Sequence, residues 1–265
     1  MEPAFWHNLA LSFVVGSAWV TLVTVTADKF GSKVGGLLGG FPATIFVALL
    51  FIGVTQTPSA AAETTTVVPV AQGLNGLFII VYVLLVGRGL AWGLTGSLLV
   101  WFVLAGILAA LDPRLFWASV AGWLVLVVVC YVIVSKLLRI DSTGPRVVQY
   151  TFPRVAFRAL LGGGVIAFAV LMGKLGGPTL GGIFATFPAM FVSTLVITYH
   201  AGGPTVSRAV AKALMVSGMI NVALYAMVVR YLYVSLGLAL GTVLALAFSC
   251  VTVYLTHALV LDRIS

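Results

Sequence analysis

Residues 31–44, GSKVGGLLGGFPAT, recur as residues 177–190, GPTLGGIFATFPAM, at an offset of 146. With no gap, Gly31, Gly35, Gly36, Phe41, Pro42 and Ala43 fall on Gly177, Gly181, Gly182, Phe187, Pro188 and Ala189. The register holds outside the motif: Leu49, Pro58, Val70 and Asn75 fall on Leu195, Pro204, Val216 and Asn221, and Ala10 and Gly16 on Ala156 and Gly162. Matches of Gly, Leu or Val arise easily in so biased a composition. The chain holds only three asparagines, however, and two of them coincide. The sequence is therefore an internal duplication, and any fold must accommodate two related units.

Those units are not built for water. The chain is 62% hydrophobic and 8% charged, with a mean hydropathy of +1.20, against about 25% charged residues in a soluble globular domain. Apolar runs of about 20 residues recur, enough to cross a hydrocarbon core of about 30 Å. Long continuous runs, rather than short alternating ones, argue for helices and against an outer-membrane barrel. The reading is an all-α polytopic membrane protein with about nine transmembrane helices, at 8–27, 36–55, 66–86, 90–111, 115–136, 156–173, 181–200, 211–232 and 236–259. A first four-helix repeat occupies 1–114, a linker transmembrane helix 115–138, a cytoplasmic loop 139–155, and a second four-helix repeat 156–265.

The unpaired fifth helix carries the chain across once more, so the second repeat begins on the opposite face and is inverted relative to the first. The charges fit one orientation. With the N-terminus outside, cytoplasmic segments hold Lys29, Lys33, Arg88, Lys136, Arg139, Arg146, Arg154, Arg158, Arg208, Lys212 and Arg263, while outer segments hold Arg114, Lys174 and Arg230. This excess predicts an outside N-terminus and a cytoplasmic C-terminus in the inner membrane of a prokaryote. The net charge of +8 is thus spent on orientation and not on nucleic acid. The acidic start, MEPAFWHN, predicts a retained first span without a cleavable signal.

Glycines at Gly31, Gly35 and Gly39, and small residues at Gly177, Gly181 and Ala185, repeat every fourth position, a spacing that lets helix backbones approach closely in lipid. A proline follows in each copy. In a continuous helix Pro42 frees the carbonyl of Leu38, and Pro188 that of Phe184. In a helix that is unwound there, each proline instead opens a shorter helix. Irregular backbone at membrane depth is tolerated only where protein covers it or a cavity lies beside it, and in inverted repeats it points to a transport site. Both readings stand at this level: a kinked packing helix, or a substrate site formed by Phe41, Pro42, Ala43, Thr44, Thr186, Phe187, Pro188 and Ala189. Asn75 and Asn221, at mid-span, either bond between helices or face that site, binding solute or steadying the freed carbonyls. Hydroxyls at Thr21, Thr24, Thr26, Ser193, Thr194 and Thr198 are expected to bond their own helix backbone.

Absences narrow the chemistry. The six acids (Glu2, Asp28, Glu63, Asp112, Asp141 and Asp262) and three histidines (His7, His200 and His257) fall in termini, loops or span ends. No mid-membrane carboxylate for cation coupling, no metal cluster, no nucleotide loop and no nucleophile motif is present in the sequence. Cys130 and Cys250 lie in apolar runs and read as core thiols. Neither enzyme activity nor a cofactor is expected. Helix N-termini opening at the two prolines favour an anion or a neutral polar solute over a cation.

The Gly-rich approach to Phe-Pro-small, at Gly35-Gly36 through Phe41-Pro42-Ala43-Thr44 and at Gly181-Gly182 through Phe187-Pro188-Ala189, resembles the small GlpM/YdgC-like bacterial membrane proteins. That resemblance implies four spans per unit, an inner-membrane location and a permease of unassigned substrate, some members having no fixed orientation. This chain looks like two such units fused through an inverting helix. Met190 stands where Thr44 stands, so no role can need a hydroxyl in both halves. The expected function is a small-solute transporter or channel, with the lipid bilayer as environment and a homodimer as an option. The other reading is a non-transporting scaffold for envelope or exopolysaccharide synthesis, an association the resemblance also carries.

Overall fold

A computed structural model describes residues 2–29, 41–138, 140 and 151–258, with the side chains of 27–29 left out. The glycine-rich half of the first motif copy, 31–40, and most of the expected cytoplasmic loop lie outside the described residues. The chain is all-α. In order it forms α1 (Pro3–Lys29), α2 (Ala43–Thr55), α3 (Pro58–Thr64), α4 (Val68–Leu85) with a short 3-10 turn, and α5 (Leu90–Leu111). Then come α6 (Phe116–Val132), which ends in a π-turn, α7 (Phe152–Ala185) and α8 (Ala189–Thr256). Among the described residues, five helical stretches are long and apolar enough to cross a bilayer, as expected of a membrane protein.

The nine predicted spans do not map one to one onto these helices. The second is only the 13-residue α2. In the second copy, single glycines at positive φ (Gly177, Gly203 and Gly237) turn the chain sharply with no loop between, so the helices run on from one another. The turn at Gly237, with φ 76°, lies two positions beyond the counterpart of Gly89, which turns the first copy with φ 128°; a side chain at either would be strained. One difference between the copies follows from local sequence. Thr64, Thr65 and Thr66 stand where α3 ends before α4, Thr64 being the last residue of α3, with Thr64 and Thr65 bonding back to Ala60 O and Ala62 O. Their counterparts Val210, Ala211 and Lys212 lie in unbroken helix 204–236. Back-bonding, β-branched threonines offer the backbone an alternative that the second copy lacks.

The two copies meet about a pseudo-twofold axis, which their contacts locate. Gln72 Nε2 donates to the carbonyl of its own counterpart, Gly218, at 3.1 Å. A residue can touch its own counterpart only where the axis passes. Towards one end of the same pair, Arg230 Nη1 donates to Ala62 O at 3.2 Å and Thr66 Oγ1 at 2.9 Å. Towards the other end, Arg208 Nε donates to Val83 O at 3.0 Å. Arg208 and Arg230 stand at the counterparts of Ala62 and Leu84, so the start of each segment touches the end of the other. Segments 58–85 and 204–231 are therefore antiparallel, and the copies are inverted about an axis perpendicular to them. The first helices pair in the same way. A Cβ on Gly16 would meet Ile166, and one on Gly162 would meet Val20, one contact made twice.

α4 lies at the centre, with 67% of its span window buried, against 22% for α5 and for α6. The linker α6 rests on both axis helices: Ser119 Oγ accepts from Val70 N at 3.1 Å, and Trp123 Nε1 donates to Met219 O at 2.8 Å. Its first residue, Phe116, also lies under the Arg230 guanidinium, 4.5 Å from ring centre to Cζ. Arg230→Leu is expected to cost about 1 kcal/mol: Thr66 Oγ1 loses its donor, while Ala62 O keeps its bonds from Thr65. A double-mutant cycle with Phe116→Leu should show about 0.5–1 kcal/mol of coupling in detergent unfolding. Zero coupling would contradict the stacking. The turn after α5 is tied to the second copy by Thr179, whose hydroxyl donates to the Asp112 carboxylate. That bond, and then Arg114, hold the carboxyl below its ordinary range.

Candidate functional site

The Phe-Pro-Ala segments take the same shape in both copies. Pro42 has φ −75°, ψ 53° and Pro188 φ −75°, ψ 42°. Ala43 N donates to Phe41 O and Ala189 N to Phe187 O, each at 2.7 Å. These are inverse γ-turns centred on proline. A helix starts at once in each case, at Ala43 and Ala189, its first ladder bonds being Phe46 N to Pro42 O and Val192 N to Pro188 O. The prolines thus open new helices rather than kink continuous ones. In the second copy the Gly-rich part stays helical to Ala185, and only residues 186–188 are unwound. Its glycines are needed for close approach: a Cβ on Gly181 would lie 2.9 Å from Gly173 Cα, and one on Gly182 2.5 Å from Thr64 O.

The interruption leaves carbonyls to satisfy. Phe184 O, the one a proline-kinked helix would orphan, accepts from Phe187 N at 3.1 Å. The displaced acceptor is Thr186 O, and Asn75 Nδ2 reaches across from the other copy to bond it at 2.9 Å. Asn75 Nδ2 also donates to Gln72 Oε1 at 3.0 Å, and Asn75 Oδ1 accepts from Trp101 Nε1 at 2.9 Å. The indole N–H can only donate, so the orientation of this amide is unambiguous. Trp101 then packs edge-on against Phe187, ring centres 5.0 Å apart. Asn75, Gln72, Trp101, Thr186 and Phe187 form one cluster, Phe187 half-buried and the others buried.

The first copy is arranged differently. Phe41 lies against Trp19 at 6.2 Å, and Thr44 is half-buried. Asn221 is fully buried, its Oδ1 accepting from Thr256 Oγ1 at 3.1 Å, and its Nδ2 meets no acceptor among the described residues. No hydrogen bond or ring contact joins the two Phe-Pro turns among the described residues. Ala43 and Ala189 are 2% and 1% exposed, so the alanines that open the two helices are enclosed by protein, while Phe41 and Phe187 are half-buried. Gln72, Trp101 and Trp19 escaped the sequence reading. A glutamine one turn before Asn75 in an apolar span was the available signal.

Two cations read as charges at the cytoplasmic ends of spans are buried near a bundle end. Arg158 donates to Thr194 Oγ1 at 2.7 Å, and Lys212 to Ile140 O at 3.1 Å. Below Thr194, Thr198 bonds Ser207 at 3.3 Å, and Ser207 bonds Tyr82 OH at 2.6 Å. Several hydroxyls also bond their own helix, as expected: Thr21 to Ser17 O, Thr24 to Val20 O, and Thr198 to Thr194 O.

The family model described as "Protein of unknown function (DUF3147)" matches residues 9–112 and again 155–261. The chain belongs to this family. It holds two DUF3147 units, whose matches begin at positions 9 and 155, equivalent under the duplication. Residues 113–154, with the linker α6, lie between them. No curated protein and no solved structure matches the chain.

Proposed function

We propose that this two-unit DUF3147 protein is a small-solute transporter or channel, working at the interface of its inverted copies. The observation that carries the reading is the same Phe-Pro-Ala turn opening a helix in both copies, one of them held by an amide from the opposite copy. Interrupted helices at matching positions of inverted repeats form the usual transport site, because unwound backbone exposes polar groups that lipid could not satisfy. The enclosed alanines correspond to an occluded state, and rocking of one copy against the other gives access to each side in turn. Helix N-termini opening at Ala43 and Ala189 favour an anion or a neutral polar solute. The charge bias favours an outside N-terminus in a prokaryotic inner membrane, and GlpM/YdgC-like permeases are the functional analogues we favour.

The burial of Ala43 and Ala189 also suits a second reading, a scaffold in which the turns only pack helices. Thiol labelling separates the two. With Cys130 and Cys250 replaced, Ala43→Cys and Ala189→Cys are probed in membranes with an impermeant maleimide. The transporter reading expects each to label from at least one side at a rate that a transported solute slows. Folded protein that resists labelling from both sides would leave the scaffold.

A further inference from the structure

We infer that the two equivalent asparagines have divided their roles: Asn75 is structural, whereas Asn221 is the amide that binds solute, through a hydrogen-bond acceptor such as a carboxylate or phosphate oxygen. This inference rests on the transport reading above and names the chemistry of its site.

Both amides are tied through Oδ1 to the last helical segment of their own copy, Asn75 by Trp101 and Asn221 by Thr256. Their nitrogens differ. Both Asn75 N–H bonds are used, on Gln72 Oε1 and Thr186 O, so nothing is left for a ligand. Asn221 stands where the second copy has no such neighbour, because Gly218 replaces Gln72. The residue corresponding to Thr186 is Gly40, which lies outside the described residues. Asn221 Nδ2 is fully buried with no acceptor among the described residues. The Thr256 hydroxyl has one proton to share between Asn221 Oδ1 and Thr252 O. The pseudo-symmetry carries the indole-fixed orientation of Asn75 over to Asn221, Oδ1 toward the copy's last helix and Nδ2 away from it, although Trp101 and Thr256 themselves do not stand at equivalent positions.

A buried amide nitrogen without an acceptor is costly in an apolar interior. An amide serving only as a helix-to-helix bond would be paired, as Asn75 is. Placed on an axis helix one turn from Gly218, Asn221 presents two N–H groups while its Oδ1 is engaged by Thr256. The complement of the open N–H groups is an oxygen-rich solute.

The chain has three asparagines, Asn8, Asn75 and Asn221, so labelling the full-length protein with 15N-asparagine in detergent yields three side-chain amide pairs. Asn221→Leu assigns its own pair by removing it. Titration with sodium acetate and with sodium phosphate is expected to shift the Asn221 pair saturably with one of them, leaving the Asn75 pair in place. Asn221→Leu should melt no lower than wild type and lose flux of that anion in proteoliposomes at least tenfold. An Asn221 pair unmoved by both anions, or an Asn221→Leu protein that melts as low as Asn75→Leu, would overturn the inference. Full flux in Asn221→Leu alongside wild-type flux would overturn it while leaving transport standing. A saturable shift with no wild-type flux of that anion would keep the site and remove transport.

Discussion

Asn75→Leu is expected to be among the most destabilising single substitutions in this protein, at about 3 kcal/mol or more. The leucine removes the partner of Thr186 O, of Gln72 Oε1 and of Trp101 Nε1 at once. Leaving a buried polar group unsatisfied costs about 1–3 kcal/mol each, so even the low end for three groups reaches that figure. Bilayer hydrogen bonds average only about 0.6 kcal/mol when the groups can find other partners. Here they cannot easily do so, since Thr186 O belongs to unwound backbone and Trp101 is 1% exposed. Against a total stability of about 5–15 kcal/mol, the loss should be plain in detergent unfolding. A cost below about 1 kcal/mol would mean that the break is held by something else.

The second large effect is a difference in sign between neighbours. Gly163→Ala should destabilise by about 1–3 kcal/mol, because its Cβ would fall 2.8 Å from the carbonyl oxygen of Phe13 and against the hydroxyl of Ser17. Backbone cannot step aside as a rotamer can, so α1 and α7 must move apart where the two copies cross. Gly164→Ala adds the same methyl one position on, where no atom lies within 4 Å. It should be neutral or stabilising by up to about 1 kcal/mol, the helix propensity difference. Paired melts of the two variants test the crossing, and equal effects would refute it.

Several features were readable from the residues alone. Apolar runs and scarce charge made the chain an all-α membrane protein, since lipid leaves the backbone no other way to satisfy itself. The duplicated Gly-Phe-Pro motif and paired asparagines marked the repeat that the family match covers twice; the odd linker helix led to the expectation of inverted copies, and the two axis segments run antiparallel. Other features depended on which atoms meet. Whether Pro42 and Pro188 kink a helix or open one cannot be read from a proline, because both outcomes satisfy its missing N–H. The answer lay in the neighbouring copy, where Asn75 supplies a donor for Thr186 O and makes the unwound form tolerable. Likewise Arg158 and Lys212 look like exposed span-end charges in sequence, and only the packing that buries them beside Thr194 and Ile140 O reveals otherwise. Local pattern thus determined the class of fold and its doubling. The tertiary structure decided how two nearly identical segments differ, because a buried polar group takes its role from the partner that the rest of the fold brings to it.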